Sequence, residues 1–470
     1  MERIFPNILR VEAMQIHKND NVEVNLENGH KYALKSIKSG ERVIKYGMPI
    51  GLATEDIPSG AHVHSHNMKT GLGSVLEYQY TPIPCEVVKP VTELTFMGYV
   101  RENGEVGVRN EVWIISTVGC VNKIAERIAK ETTAKAITHP FGCSQLGGDH
   151  KFTQNVLRGL VNHPNAAAVL VLGLGCENNN ISEFKKQLGE YNATRVKFLQ
   201  CQDVSDEVAA GIAIVRELEE YRDRFERVAV PISKLKIGLK CGGSDGYSGI
   251  TANPAVGVVS DLLISHGGIS IMTEVPEMFG AETLLMQRCK SKEVFEKLCD
   301  MVNGFKRYFE RYGQPVYENP SPGNKAGGIT TLEEKSLGCI QKGGTGPVCD
   351  VLFNGDFATK SGLNLLDGPG NDICAITNLT AAGAHLILFT TGRGTPLGAP
   401  VPTVKIATNH ALAQNKPSWI DFDASVALKG VEKCGKSLFD FVLAVAEGKE
   451  TQNEKNGYSE IAIFHDGVTL

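Results

Sequence analysis

The chain has 470 residues, of which 42% are hydrophobic and 21% are charged, and its formal net charge is −5. This composition excludes intrinsic disorder, collagen-like repeats and low-complexity arrays, and the length favours about three domains of roughly 150 residues each. The near balance of 48 basic and 53 acidic residues gives no indication of nucleic-acid or membrane-surface binding.

Apolar runs and cysteine spacing indicate the cellular compartment. All apolar runs are shorter than the roughly 18–20 residues of a membrane helix, and residues 1–6 lack the apolar core of a signal peptide. The 12 cysteines include no C-x-x-C pair, so neither a secreted disulfide framework nor a zinc ribbon is indicated. We therefore expect a cytoplasmic protein without membrane or nucleic-acid partners.

The first ninety residues have the pattern of short β-strands. Residues 21–26 alternate between polar and apolar side chains, and the following Asn28-Gly29 is a turn signal. This pattern predicts a small β-barrel or β-clip domain over residues 1–80. Three prolines between residues 80 and 92 then predict an extended linker, which we place at residues 81–95.

From about residue 96 the pattern changes to alternating strands and helices. Val112–Ser116 is a strand candidate, and Ala167–Leu172 is a continuous apolar run typical of a buried parallel strand. Further strand candidates are 235–239, 270–273 and 385–390. Strands interleaved with helices predict α/β domains with open parallel sheets. We expect a middle α/β domain at 96–232 and a C-terminal α/β domain at 233–470.

Cysteines beside glycines recur where these strands should end. Cys120, Cys143, Cys176 and Cys241 each adjoin a glycine in a polar turn. Ligands of open α/β sheets bind beyond the carboxyl ends of the strands. Such cysteines can be small buried side chains, or thiolates from separate loops can meet around iron, which suits soft sulfur ligands. Their wide spacing in the sequence leaves both interpretations open.

A dinucleotide-binding fold is an alternative for the glycine-rich turns. The segment Gly173–Asn178 departs from the G-x-G-x-x-G fingerprint because Asn178 stands where the third glycine belongs. These glycines can still hold an anion at a helix N-terminus. The pattern therefore disfavours a dinucleotide cofactor.

Histidines form a second recurring feature. His62, His64 and His66 occupy every second position, which places them on one face if the segment is a strand. Imidazoles can bind a divalent metal or act as a general base near neutral pH, although an exposed polar strand face explains the same spacing. Asp149-His150 is a further acid–imidazole pair, whose adjacent side chains need not face each other.

Two carboxylates and a polar loop complete the candidate residues. Glu274 and Glu277 are oxygen ligands of the kind that a hard cation selects, and they can equally cap and charge the first turn of a helix. Residues 319–328 form a loop rich in proline and glycine with a single lysine, Lys325. A rigid polar loop of this kind more often has a functional than a purely structural role.

Eight segments of the chain resemble the altronate/galactarate dehydratase family. They are Gly98–Glu111, Thr117–Asn122, Gly142–Leu146, Gly173–Asn179, Cys241–Gly246, Thr273–Gly280, Asn319–Thr330 and Gly467–Leu470. In addition, His62–Asn67 resembles the end of the SAF domain, the β-clip that these enzymes carry. The resemblance covers essentially the whole chain in the same order.

This resemblance implies a hydro-lyase that converts D-altronate to 2-dehydro-3-deoxy-D-gluconate and water in hexuronate (galacturonate) catabolism. It also implies an iron requirement under reducing conditions, an N-terminal SAF domain, a dimerising middle domain and a C-terminal Rossmann variant, and hence a homodimer. Two alternatives stay open. One is dehydration of a related sugar acid such as galactarate, and the other is a non-catalytic protein that binds aldonates or iron.

The chemistry of such a dehydration defines the groups that the site needs. A base removes the weakly acidic C2 proton, a general acid protonates the departing C3 hydroxyl, and a cation stabilises the charge on the carboxylate. Our acid and base candidates are His64 and His150. The candidates for substrate binding are His62, Ser244, Asp245, Asn253, Lys325 and Arg393. The candidates for iron, as Fe2+ or as an iron–sulfur cluster, are Cys143, Cys176 and Cys241, with Glu274 and Glu277 as ligands of a competing mononuclear site.

Overall fold

The computed structural model describes residues 13–73, 75–85, 87, 90 and 92–470. The expected lack of a signal peptide concerns residues 1–6, which lie outside the described residues. Among the helices of the described part, none combines the length and the apolar character needed to cross a membrane.

The N-terminal region consists of short strands in two small antiparallel sheets. The strands are β1 (Ala13–Met14), β2 (Val22–Asn25), β3 (Lys31–Ala33), β4 (Arg42–Lys45), β5 (Met48–Ala53), β6 (His62–Val63) and β7 (Met68–Lys69). The sheet orders are β1-β2-β3-β6 and β4-β5-β7. The predicted alternation holds in β2, where Val22 and Val24 are buried and their neighbours are partly exposed. The prediction of a small β-clip domain is confirmed.

The predicted linker lies between β7 and the next strand. The described residues from 70 to 94 contain neither a strand nor a helix. Tyr78 nevertheless anchors this segment, because its hydroxyl donates a 2.7 Å hydrogen bond to Glu282. The domain boundaries at residues 80, 95 and 232 stay predictions.

The middle region contains a four-stranded parallel sheet and a small antiparallel sheet. Its strands are β8 (Thr95–Val100), β9 (Val106–Gly107), β10 (Glu111–Ser116), β11 (Lys135–Ile137), β12 (Ala166–Gly173), β13 (Val196–Gln200) and β14 (Arg227–Pro231). Its helices are α1 (Asn122–Lys130), α2 (Gly147–Val161), α3 (Ile181–Leu188) and α4 (Glu207–Arg222). The parallel sheet has the order β11-β10-β12-β13, and the small sheet has the order β14-β8-β9. All eight residues of β12 are buried, as its apolar run predicts.

The C-terminal region is built around a seven-stranded parallel sheet. Its strands are β15 (Lys236–Cys241), β16 (Ile269–Met272), β17 (Val348–Leu352), β18 (Gly362–Leu366), β19 (Leu386–Thr391), β20 (Thr403–Ala407) and β21 (Phe422–Asp423). Its helices are α5 (Ala252–Ser265), α6 (Glu282–Met286), α7 (Lys292–Arg311), α8 (Pro322–Ala326), α9 (Leu332–Cys339), α10 (Asp372–Ala381), α11 (His410–Asn415), α12 (Val431–Ala446) and α13 (Gln452–Asn456). The order β17-β18-β16-β15-β19-β20-β21 reverses direction beside β15 and β19. This is the Rossmann-like arrangement that we predicted.

The two parallel sheets meet at the N-terminal ends of their central strands. Asn165, just before β12, donates a 2.8 Å hydrogen bond from Nδ2 to the carbonyl oxygen of His385, just before β19. The ring of His163 bonds to the neighbouring carbonyl oxygen of Ala384 at 3.0 Å. Each carboxyl edge, where ligands bind in such sheets, therefore lies at the opposite end of its strands.

Candidate functional site

Two thiols and a carboxylate meet at the carboxyl edge of the seven-stranded sheet. Cys241 ends β15, Glu277 follows β16, and Cys339 ends α9. The Sγ atoms of Cys241 and Cys339 are 3.2 Å apart, and Glu277 Oε2 lies 3.3 Å from the first and 3.0 Å from the second. All three residues are buried, and their ligand atoms lie within 4.8 Å of one another. We call this set the Cys-Glu-Cys group.

A strained turn after β16 brings the two predicted glutamates over the end of β15. Glu274 has φ of +75°, in the left-handed region that non-glycine residues seldom adopt. Its Oε2 accepts a 3.0 Å hydrogen bond from the backbone N–H of Cys241. A strained backbone conformation of this kind persists only where the surrounding structure holds it in place. Such conformations are concentrated at functional sites.

Three buried lysines surround the group. Lys335 Nζ lies 2.8 Å from Glu277, Lys342 Nζ lies 3.2 Å from Glu274, and Lys240 contacts Glu274. Burial by itself raises the pKa of Glu277, but the charge of Lys335 holds it well below the ordinary value. Burial and the nearby Glu277 charge raise the pKa of Glu274. Lys335 therefore holds Glu277 in its ionised form.

The Cys-Glu-Cys group has a suitable donor set for a divalent metal. Thiolates and a carboxylate are ligands of iron and zinc, and thiols lose their protons when they bind metal. Burial and the hydrogen bond with Cys241 raise the pKa of Cys339 well above its ordinary value. Nearby ammonium groups favour the thiolate form, so the three lysines offset part of that cost. The group can hold a metal ion.

A buried ion triad attaches the N-terminal domain to the helix that carries Cys339. Lys31 Nζ lies 2.9 Å from Glu334 Oε2, and Lys45 Nζ lies 2.8 Å from Glu334 Oε1. Burial lowers the pKa of Lys31 to about 8, and the two lysines together hold the pKa of Glu334 at about 2 although burial opposes this. The triad positions α9 against the strands of the N-terminal domain.

The predicted histidines lie together at the edge of the N-terminal domain. His62 and His64 form a cluster with His66 and with His30, which sequence reasoning missed, and neighbouring ring centroids are 5.1–5.6 Å apart. His30 joins the cluster because β3, which follows it, pairs with β6. Burial and the adjacent imidazoles lower the pKa of His62 to about 4, and burial lowers the pKa of His64. Both rings are therefore neutral at pH 7.

His64 faces the polar loop that sequence analysis singled out. Its Nε2 lies 2.9 Å from the carbonyl oxygen of Lys325. Because a carbonyl only accepts, this nitrogen carries the hydrogen, and Nδ1 keeps the lone pair of a base. The structure thus brings together His62, His64 and Lys325 of the predicted site. Their roles stay predictions.

Three predicted substrate ligands, Ser244, Asp245 and Asn253, line a small cavity together with Cys339 of the Cys-Glu-Cys group. Asp245 accepts hydrogen bonds from Thr408, Ser248 and Asn409 at 2.9–3.0 Å, and burial raises its pKa. The side chain of Asn253 also has hydrogen-bond partners within the chain. Its Nδ2 donates to the carbonyl oxygen of Gly338, and its Oδ1 accepts from Thr390 Oγ1. Ser244 differs, because its buried Oγ has no hydrogen-bond partner. It lines a small cavity with Lys45, Lys335 and Cys339.

Arg393 is exposed beside this edge of the sheet. Its backbone N–H donates a 3.0 Å hydrogen bond to the carbonyl oxygen of Gly243, in the turn after β15. A clamp on the substrate carboxylate stays a prediction for this residue and for Lys325.

The structure does not bring Cys143 and Cys176 into the Cys-Glu-Cys group. Both are exposed at the carboxyl edge of the middle sheet, whereas Cys241 is buried in the C-terminal sheet. His150 is on α2, in the middle region, where its buried Nε2 lacks a hydrogen-bond partner and burial lowers its pKa. Within one chain, the predicted iron ligands are therefore divided between two sheets.

Sequence reasoning missed Cys339 and the three lysines. Gly338-Cys339 repeats the glycine–cysteine pair, but it ends a helix and not a strand. We looked for ligands after strands, and Cys339 was therefore not among the candidates. Nothing in the local pattern marks Lys240, Lys335 or Lys342 as buried. Their place follows from tertiary packing alone.

Gly430–Ser437 matches the phosphate-loop pattern G-x-x-x-x-G-K-[ST], which sequence reasoning also passed over. The pattern requires an open loop before a helix, yet seven of its eight residues belong to α12. An added Cβ on Gly435 would lie 2.4 Å from the side chain of Val258, so this glycine serves close helix packing. The segment is not a phosphate-binding loop.

Comparisons with known proteins cover nearly the whole chain. Family models match at residues 12–71 (altronate/galactarate dehydratase SAF domain), 98–222 (D-galactarate dehydratase/altronate hydrolase, second domain) and 232–469 (D-galactarate/altronate dehydratase, C-terminal). The altronate dehydratase of Bacillus subtilis is 52% identical over 463 residues, which are 96% of this chain and 93% of the relative. The altronate dehydratase of Escherichia coli is 51% identical over 468 residues, 96% and 94% of the two chains. The galactarate dehydratase (L-threo-forming) of Escherichia coli is 32% identical over 481 residues, which are 94% of this chain and 90% of the relative.

Proposed function

The chain belongs to the altronate/galactarate dehydratase family, and on that premise we propose that it is a hydro-lyase that dehydrates D-altronate to 2-dehydro-3-deoxy-D-gluconate. The identity of 51–52% to two altronate dehydratases over almost their full length carries this proposal. The reaction serves hexuronate (galacturonate) catabolism. The resemblance of the middle region to the dimerising domain of the family supports a homodimer, and the composition supports a cytoplasmic location.

Iron is the proposed metal, and Cys241, Glu277 and Cys339 are the residues that would hold it in this part of the chain. Bound there, iron supplies a Lewis acid for the oxygen atoms of a sugar acid. Lys335 keeps Glu277 ionised across its 2.8 Å contact, and Lys240 and Lys342 add positive charge that attracts a carboxylate substrate. The site is therefore matched to an anionic sugar.

We assign the proton abstraction at C2 to His64. Its neutral imidazole has the hydrogen on Nε2, directed to Lys325, so that Nδ1, which lies 3.0 Å from Ser65 Oγ, carries the lone pair that takes up a proton. The ordered loop of Lys325 thus sets the tautomer of the base. His62 lies beside it and stays a candidate for contact with the substrate. His150 stays the second acid/base candidate.

Ser244 is the best-supported ligand for a sugar hydroxyl. Its Oγ is buried without a partner, and Ser244 lines a cavity of about 10 Å³ between the N-terminal region and the C-terminal sheet. A buried hydroxyl without a hydrogen bond is costly, and a substrate hydroxyl can satisfy it. Lys325 and Arg393 are the proposed partners of the substrate carboxylate, since an ammonium or guanidinium pairs strongly with it.

A coupled assay for 2-keto-3-deoxy acids tests the proposal. The full chain, supplied with Fe2+ under anaerobic conditions, is assayed with D-altronate, with galactarate and with other aldonates and aldarates. We expect the highest kcat/KM with D-altronate. Galactarate is the second candidate because of the 32% identity to a galactarate dehydratase. Preference for galactarate would reassign the substrate, and binding of altronate without any keto-acid product would show a non-catalytic protein.

A further inference from the structure

Three exposed cysteines stand out at the carboxyl edge of the middle sheet. Of the 12 cysteines, all of which the structure describes, the three that are exposed are Cys120, Cys143 and Cys176. Free cysteine is among the most buried residue types, and its reactivity more often than its packing explains where it is retained. Three exposed thiols at one sheet edge therefore call for a chemical explanation.

The three thiols are on loops that follow three adjacent strands. Cys120 follows β10, Cys143 follows β11 and Cys176 follows β12, and the sheet order is β11-β10-β12. The carboxyl ends of parallel strands lie at the same edge, so these loops are neighbours although 56 positions separate the first and last cysteine. Cys176 also accepts a 3.6 Å hydrogen bond at Sγ from the side chain of Gln202.

Backbone hydrogen bonds join the loops directly. The N–H of Gly119 donates to the carbonyl oxygen of Phe141 at 2.9 Å, which ties the Cys120 loop to the Cys143 loop. The N–H of Asn179 donates to the carbonyl oxygen of Gly142 at 3.0 Å, which ties the Cys143 loop to the Cys176 loop. Each bond lies within three residues of the cysteines concerned.

The glycines before the cysteines are required for this close approach. A Cβ added to Gly142 would lie 2.0 Å from the carbonyl oxygen of Thr117, and one added to Gly175 would lie 2.5 Å from the side chain of Gln202. Both glycines have φ above +100°, and Ser144 has φ of +58°. This concentration of unusual backbone beside two thiols is typical of a functional site.

A buried carboxylate holds two of the loops in place. Glu177, next to Cys176, is 2% exposed and accepts hydrogen bonds from Thr117 Oγ1 at 2.8 Å and from the N–H of Gly175 at 2.6 Å. Asn179 Nδ2 adds a 3.1 Å bond to the carbonyl oxygen of Thr117. Supporting hydrogen bonds of this kind fix the geometry of metal ligands.

We propose that Cys120, Cys143 and Cys176 form a second metal site, in which three thiolates hold an iron–sulfur cluster and one iron has no protein thiolate. Soft sulfur ligands suit such clusters. The three sulfur atoms do not all lie within 4.8 Å of one another, whereas the ligands of a single tetrahedral ion at 2.3 Å would be about 3.8 Å apart. A cluster places its own iron and sulfide between the thiolates, so its ligands do not have to lie within reach of one ion.

This site replaces Cys241 by Cys120 in the thiol set that the sequence suggested. It is separate from the Cys-Glu-Cys group, and it does not depend on which sugar acid the chain dehydrates. Each thiol gives up its proton when it binds, so assembly of the cluster releases protons and is favoured at higher pH.

Iron and acid-labile sulfide in the full chain test the proposal. The protein is reconstituted anaerobically with Fe2+ and sulfide, desalted, and analysed for both elements and by electron paramagnetic resonance after reduction. We expect acid-labile sulfide matched by an equal amount of iron beyond the iron of the Cys-Glu-Cys group, and a loss of at least half of the sulfide in each of Cys120→Ala, Cys143→Ala and Cys176→Ala. Thermal unfolding checks that these variants, which change exposed side chains, still fold.

Two matched variants decide between the thiol sets. Cys374→Ala, on α10, and Cys241→Ala should both retain the wild-type sulfide content. Sulfide at background level in the wild-type chain overturns the proposal, as does a single zinc ion without sulfide. A loss with Cys241→Ala but not with Cys120→Ala overturns it in favour of the other set. Keto-acid production is measured separately, so a chain with sulfide but no dehydratase activity contradicts only the proposed function.

Discussion

The Sγ atoms of Cys241 and Cys339 lie 3.2 Å apart, although 98 positions separate the two residues in the chain. One thiol comes from the end of a central strand and the other from the end of a helix that the SAF region holds in place. The carboxylate of Glu277 contacts both. Each of these contacts leads to an expected outcome.

Replacing Cys339 by alanine should remove iron from the Cys-Glu-Cys group. Loss of an outer-shell partner of a metal ligand already lowers metal affinity by about 10–100-fold, so loss of a ligand should lower it by at least that factor. Iron content after desalting and kcat with D-altronate measure the effect. Cys434→Ala, another buried cysteine on α12, is the control and should retain both. Equal iron content in the two variants would show that Cys339 is not a ligand.

Replacing Glu334 by glutamine should destabilise the folded chain strongly. Lys31 and Lys45 would keep their buried charges without the carboxylate, and breaking a buried pair costs about 3–5 kcal/mol. Denaturant unfolding measures the change. Asp56→Asn, which breaks the exposed pair with Lys38, should change the free energy of unfolding far less, because solvent screens that pair. A similar decrease in the free energy of unfolding in the two variants would show that burial does not make the ion pairs of Glu334 more important for stability.

The same carboxylate predicts the acid sensitivity of the fold. The pKa of Glu334 is lowered from 4.5 to about 2 in the folded chain, so its contribution to stability is complete above about pH 4.5. That contribution is lost as the pH falls from there towards 2, because the unfolded chain takes up a proton at this carboxylate while the folded chain still holds it ionised. The wild-type free energy of unfolding should fall more steeply over this interval than that of Glu334→Gln. Parallel slopes would argue against the lowered pKa.

Replacing His64 by asparagine should lower kcat by roughly 10²–10⁴-fold if this imidazole takes up the C2 proton. Burial lowers the pKa of His64, so kcat/KM of the wild type should rise with pH around a midpoint below 6.5 and be level at pH 7. A pH–rate profile and exchange of the C2 proton with solvent provide the readouts. His266→Asn, at the end of α5, is the control. Near-normal turnover in His64→Asn would exclude this residue as the base.

Replacing Ser244 by alanine should separate binding from stability. Its buried Oγ has no partner within the described residues, so its loss should leave the free energy of unfolding unchanged or slightly higher. If the hydroxyl binds the sugar, KM should rise by about tenfold, which corresponds to about 1.4 kcal/mol. Ser248→Ala should instead reduce stability, because this hydroxyl bonds to Asp245. An unchanged KM in Ser244→Ala would exclude the contact with substrate.

The amino-acid sequence by itself was sufficient for the fold class and the family. Alternation in residues 21–26 predicts β2, and the apolar run of residues 167–172 predicts the buried strand β12. Such patterns are local, because a strand repeats its environment every one or two residues. The long motifs around the glycine–cysteine turns also suffice for the family, since close loop approaches require glycine at fixed positions.

Only the tertiary structure decided which of these residues share a site. Cys143, Cys176 and Cys241 look alike in sequence, yet two follow the middle sheet and one follows the C-terminal sheet, beside Cys339. Lysines such as Lys335 carry no local sign of burial, because their charge is tolerated inside only through a carboxylate distant in sequence. Strand order and helix packing, which bring distant loops to one edge, depend on the whole chain and not on any one segment.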